Sequence, residues 1–328
     1  MDMIKKIAPR ILLLATIVVL SNFIYKATTY PSDIEGDANV LAKFQNAQSQ
    51  ADVLYFSSSP NATYSDREDT DFRSISAIVD DSISLKVMSV DTGAIHAGVF
   101  KHLIGMISSE SKVKKVIVHL NYRSFGQGWI QSELENAIQR EMVFYNENPA
   151  IINRYLQGLN AYDAVSNKER ERLMLKSWAT EQLPFEPPRN TVTSWCEVEK
   201  WGEWTILKRQ LADHYIKNFA FNINEDNVRL KDYDEIVKIC EAKGLDLYFV
   251  ILPENLEEGE ALVDSGLTDF MKDNKDFLKK RYEEKGVTVI DDFGLLHDED
   301  FLERTFPSEH YFERGRMEIA KSIIKVLK

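Results

Sequence analysis

A chain of 328 residues, 44% of them hydrophobic and 28% charged, has the apolar content to fold around one large core or two small ones. Its formal net charge of -12 disfavours nucleic acid as the main partner, and two cysteines are too few for a disulfide scaffold. The N-terminus opens with Lys5, Lys6 and Arg10 and continues into "ILLLATIVVLSNFIY", 15 residues without a charge. A basic flank ahead of an apolar run marks an export signal or a membrane anchor. Counting from Ile7 to Lys26 brings the run near the ~20 residues of a spanning helix. An uncleaved anchor is therefore predicted over 1–27, with the body of the chain on the trans side of the membrane. Residues 28–50 are polar and read as a juxtamembrane linker with a short helix.

Beyond that point, apolar runs of strand length alternate with stretches of helical period. Strands are predicted at 52–56, 85–90, 115–120, 245–252 and 287–290, and helices at 72–79, 95–107, 233–243, 267–285 and 311–327. Nearly all-apolar strands separated by helices imply a parallel sheet covered on both faces. The fold class is accordingly α/β, a flavodoxin-like three-layer sandwich with a five-stranded parallel sheet. Residues 122–232 break the alternation. They hold no clear strand, are rich in charge and carry Trp129, Trp178, Trp195, Trp201 and Trp204. They read as a helical insertion, a cap or a partner surface, within an α/β domain over 51–328. Cys240 lies on an apolar helix face with Tyr233, Ile236 and Val237 and reads as core; Cys196 lies among the tryptophans, and its pairing with Cys240 is open.

Ligands of open α/β sheets sit outside the carboxyl ends of the strands. The first predicted strand ends in Ser57-Ser58-Ser59, the second in "SVDTG" with Gly93, and the third in "HLNYRSFG" with Asn121. The fourth ends in "LPEN", and beyond the fifth comes "FPSEHYFERGRMEIAKSI" with His310. A serine, a glycine, an asparagine and a histidine thus follow one another on separate loops of one predicted rim.

In this order and placement the chain resembles the SGNH hydrolase family, the GDSL-like esterases, over roughly 52–121 and 245–328. "FSSS" stands where that family has "FGDS", which implies Ser59 as nucleophile; Gly-Ser-Ser variants occur among its membrane-anchored DltD-like members. "HLN" matches the third block's Gly-x-Asn with His119 in place of glycine, and "HYFERGRMEIA" matches a block of His, a glycine five residues on, and a helix. The resemblance implies a base at His310 and an oxyanion hole built from the Ser59 amide, the Gly93 amide and the Asn121 side chain. Such roles make chemical sense. A serine hydroxyl is a weak nucleophile until a base accepts its proton, and the oxyanion needs donors already in place.

One position departs from the pattern. The family's catalytic Asp lies three residues before the His, and Pro307 stands there. Glu309 and Glu303 are the candidate acid partners, with Asp298 and Asp300 also near. Arg123 is a candidate contact for an anionic substrate group or else a salt-bridge residue. His119 either lines the pocket or packs beneath it. Asn61 opens an "NAT" glycosylation sequon. His96 and His102 are six apart, not a ligand spacing, and no metal, cofactor or nucleotide motif is predicted. The expected activity is that of an extracytoplasmic, membrane-anchored serine esterase or O-acyltransferase acting on acyl, mainly acetyl, esters of a cell-envelope or secreted polysaccharide. The resemblance also implies a membrane-bound O-acyltransferase as a partner. The alternative is an inactive accessory protein that binds glycan or that partner, its tryptophans stacking on sugar rings.

Overall fold

The computed structural model describes residues 2–132, 134–162, 165–185, 206–303 and 308–328. Five strands, β1 (Val53–Ser57), β2 (Val87–Asp91), β3 (Lys115–Leu120), β4 (Asp246–Ile251) and β5 (Thr288–Asp291), pair in parallel in the order β2-β1-β3-β4-β5. The predicted α/β class is therefore the observed one, with strand ends shifted by one or two residues. Helices α1 (Asp2–Thr28), α2 (Tyr30–Asp37) and α3 (Asn39–Gln50) precede the sheet, with α4 (Ile75–Ser82) and α5 (Ala97–Gly105) inside its first half. Between β3 and β4 lie α6 (Gln127–Ile130), α7 (Leu134–Met142), α8 (Ala150–Gly158), α9 (Asn167–Thr180), α10 (Ile206–Phe219) and α11 (Val228–Lys243). The chain closes with α12 (Leu256–Leu262), α13 (Ser265–Glu283) and α14 (Glu313–Leu327).

Strand periodicity divides the core into two layers. On one face Val53, Tyr55, Ile117, Val250 and Ile290 pack with Ile75 and Val79 of α4 and Ile319 and Ile323 of α14. On the other, Phe56 meets Phe44 of α3 and Phe100 of α5, while Phe249 meets Tyr233 of α11 and Tyr282 of α13. Helices α5 and α11 pack so closely that a Cβ on Gly98 would lie 2.9 Å from both Arg229 Nη1 and Asp232 Oδ2. Polar caps set helix boundaries that apolar periodicity misses. Ser74 accepts from Ala77 N and starts α4, His96 accepts from Gly98 N and starts α5, and Asn227 starts α11 five residues ahead of the predicted start. Gly244, at φ 65°, ends α11 in the left-handed region that glycine enters without strain.

The chain divides into two compact units, residues 1–43 with 133–166, and residues 44–132 with 167–328. The second holds the sheet. In the first, α1 contains a 22-residue stretch, Ile7–Thr28, long and apolar enough to cross a membrane, with Leu12, Leu13, Leu14 and Phe23 exposed. The segment 28–50 is not an open linker. It is helical over nearly its whole length, and its Ile34, Ala38, Val40, Leu41, Phe44 and Ala47 are buried. Glu141 of α7 caps α3 by accepting from Val40 N and Leu41 N at 3.0 and 3.2 Å. Arg154 of α8 pairs with Asp33 and Asp37 of α2 at 3.3 and 2.8 Å. Cys240 is buried in the core as predicted, and burial pushes its thiol up to about 12. Cys196, Trp195, Trp201 and Trp204 lie outside the described residues, as does Pro307.

Candidate active site

The strand order reverses between β1 and β3, the two strands that flank the point where doubly wound sheets bind their ligands. Ser59 follows β1 there and Asn121 follows β3. On the other side of β1, Ser57 pairs with Asp91 at the end of β2, so the Gly93 turn leaves the same rim. Ser57 and Ser58 are buried, whereas Ser59 is half-buried at the start of a short 3-10 turn, Ser59–Asn61. That turn is pinned from below. The Ser59 carbonyl accepts from Ala62 N, Thr63 N and Thr63 Oγ1, at 3.1, 3.1 and 2.7 Å. Asn61 Nδ2 donates to Asp91 Oδ2 at 2.6 Å and to Ser76 Oγ at 3.0 Å, and its Oδ1 accepts from Ser76 N at 2.9 Å. Asn61 is fully buried with both ends of its amide engaged, so in the folded chain it is a structural tie rather than an open glycan acceptor.

His310 stands 2.9 Å from Ser59 Oγ through Nε2 and 2.7 Å from Glu303 Oε1 through Nδ1. Backbone pairing brings acid and base together. Leu302 N donates to the His310 carbonyl and Phe312 N to that of Asp300, each at 2.9 Å, and Phe301 bridges Tyr311 in antiparallel sense. This fold-back sets Glu303 beside His310 although seven residues separate them. Burial raises the Glu303 carboxyl, but hydrogen bonds from His310 and Ser308 (2.5 Å) outweigh it and hold the group below its usual range. An ionised Glu303 accepts a hydrogen bond from Nδ1–H, which leaves the Nε2 lone pair facing the Ser59 hydroxyl. The three groups have the geometry of an acid–base–nucleophile relay.

Four other predicted residues have different surroundings. Glu309, the alternative acid, does not reach the imidazole. Arg123 holds it in a buried two-point ion pair, Nε–Oε1 2.9 Å and Nη2–Oε2 2.6 Å. Arg123 is thus engaged as a salt-bridge residue, and its guanidinium lies 4.9 Å from the Trp129 ring centroid. His119 is buried beneath the rim against the Tyr55 hydroxyl and does not line the site; burial lowers its pKa to about 3, which keeps it neutral. Gly93 is exposed in a turn, and no described atom would meet a Cβ there, so nothing in this chain crowds that position.

Asn121 caps the turn Tyr122–Phe125. Its Oδ1 accepts from Ser124 N at 3.2 Å, which fixes Nδ2 as the end left to donate. Glu254, from the "LPEN" that follows β4, is a site residue that the sequence did not single out. Glu254 is almost fully buried, and Oε1 has no hydrogen-bond partner among the described residues. Burial first, and then the charge of Glu309, push its carboxyl well above the usual range, so it keeps its proton. An acid at the end of an otherwise apolar strand was the available signal. Among the described residues no cluster of His, Cys, Asp and Glu has the makings of a metal site.

No protein-family model matches the sequence, and no curated protein matches it. Among solved structures the chain is similar to a salicylyl-acyltransferase, SsfX3, from a tetracycline biosynthetic pathway, at 13% identity and a TM-score of 0.30, over 84% of this chain. The match spans about half, 53%, of that protein's length. Nothing about this chain follows from a match at that level.

Proposed function

We propose that the chain is an SGNH-type serine esterase or O-acyltransferase, held to a membrane by α1. The observation that carries this reading is the His310 imidazole bridging Ser59 and Glu303 at the reversal point of a parallel sheet. Ser59 Oγ attacks an ester carbonyl while His310 Nε2 takes its proton, and the carbonyl π electrons move onto oxygen. The Ser59 and Gly93 amides and Asn121 Nδ2 stabilise the oxyanion. Collapse expels the alcohol, which receives the proton from His310, and leaves an acyl-serine. Water, or a sugar hydroxyl in the transferase mode, then repeats the sequence in reverse. Glu303 holds the tautomer and faces the imidazolium formed in each step.

Acyl, mainly acetyl, esters of a cell-envelope or secreted polysaccharide are the proposed substrates, and a membrane-bound O-acyltransferase is the proposed partner. Lys5, Lys6 and Arg10 ahead of the apolar stretch favour an extracytoplasmic body. The test uses the full chain in detergent. A fluorophosphonate probe should label Ser59, and p-nitrophenyl acetate turnover should disappear in Ser59→Ala. A wild-type chain that resists the probe and turns over no ester would refute catalysis and favour an accessory, glycan-binding role.

A further inference from the structure

We propose that Arg123 and Glu309 are positioning residues for this site: their ion pair locks the His310 strand to the Asn121 turn, so that base and oxyanion donor are set by one contact. The inference rests on the serine-ester reading and names residues that neither touch nor receive the reacting atoms.

Neighbouring side chains on an extended segment point to opposite sides. His310 turns outward to Ser59, and Glu309, one residue before it, turns inward to Arg123. Arg123 in turn lies two residues after Asn121, inside the short helical turn that Asn121 caps. The same two hydrogen bonds therefore restrain both segments. The fork matches the carboxylate at both oxygens, which fixes orientation as well as distance. Trp129 flanks the guanidinium, and Glu254 approaches Glu309 from the end of β4 as a neutral acid. Three segments, the turn after β3, the loop after β4 and the stretch before α14, thus converge on one buried pair.

Stability is a poor reason for such an arrangement. A buried ion pair is often replaceable by apolar side chains without loss, because desolvation offsets the attraction, whereas geometry is what it specifies well. Glu309→Leu combined with Arg123→Met should accordingly fold, and should misplace His310.

The experiment compares full-length wild type, this double variant and Arg123→Lys, which keeps the charge but gives up the two-point fork. We expect the double variant to keep its melting temperature within a few degrees and its KM for p-nitrophenyl acetate within about threefold. Its fluorophosphonate labelling rate should fall roughly ten- to a hundredfold, and the low-field proton resonance of His310 Nδ1–H should broaden or move. Arg123→Lys should lie between, and it supplies the same rate and resonance readouts should the double variant fail to fold. Wild-type labelling rates in a folded variant, with the resonance unmoved, overturn the positioning role alone. An unlabelled wild type overturns the ester reading and this inference with it.

Discussion

Glu303→Gln isolates the contact that the sequence left open between Glu303 and Glu309. The amide nearly preserves shape but removes the charge 2.7 Å from His310 Nδ1, and it offers an N–H where the imidazole needs an acceptor. With charge centres about 4 Å apart and an effective dielectric constant of about 20, attraction between carboxylate and imidazolium is worth about 4 kcal/mol, or about three decades of rate. The Glu303 side chain is 34% exposed, and screening by water brings the expectation to about two decades. The loss should fall on kcat and on the acylation burst with p-nitrophenyl acetate, because the contact strengthens only as His310 becomes charged. Glu303→Asp, one methylene shorter, should recover part of it. The pH dependence has a definite sign. The Glu303 carboxyl is depressed, so its contact contributes above the usual glutamate pKa of about 4.3 and is lost as pH falls through the lower folded value. A Glu303→Gln variant that acylates within about fivefold of wild type, or one that loses only KM, refutes the relay.

Asn121→Ala should lower kcat by about 10²–10³ with little change in KM if Nδ2 serves the oxyanion, measured on the same substrate. Asn61→Ala should cost about 2–4 kcal/mol in denaturant unfolding, since Asp91 and the Ser76 amide lose a buried partner; a change under about 0.5 kcal/mol would contradict the tie described here. Burial first, and then Asp291, push Asp292 up to about 7, against a relieving bond from Ser322. Its folded pKa lies above the unfolded value, so stability falls as pH rises from about 4 to about 7, by up to about 4 kcal/mol. Asp292→Asn should therefore melt higher than wild type at about pH 8 and close to it at about pH 4, by scanning fluorimetry.

The sheet was legible because its strands are short, apolar and separated by helical periods, and parallel pairing follows from burial on both faces. Ser59 and His310 were picked out by position and by the family resemblance, the one just after the first strand and the other just before the last helix. Their acid partner was narrowed to Glu309 and Glu303, and position could not choose between them. Fixed spacing points to residue 307, whereas Glu303 arrives through antiparallel pairing of 301–302 with 310–311, a tertiary relation that no local pattern carries. The pairing of Arg123 with Glu309 was hidden for a related reason: a charged residue near a catalytic motif looks the same in sequence whether it meets substrate or a buried counter-charge. The stretch 28–50 reads as polar because its apolar residues are few, yet Val40, Leu41, Phe44 and Ala47 sit where helical spacing gathers them, and that suffices to bury one side.

The strand order has a further bearing. β2, β1 and β3 carry the nucleophile and the asparagine, while the base belongs to the part of the chain that follows β4 and β5. The two parts meet along the β3–β4 ladder and again where α14 packs on α4 and Arg316 pairs with Asp69, and 251 positions separate the two reacting side chains. Loosening of both contacts together parts Ser59 from His310 while each part still keeps its own strand pairings. Heat or mild denaturant should thus silence the chemistry before bulk spectroscopic signals move, and ligands that clamp the two parts should protect both together.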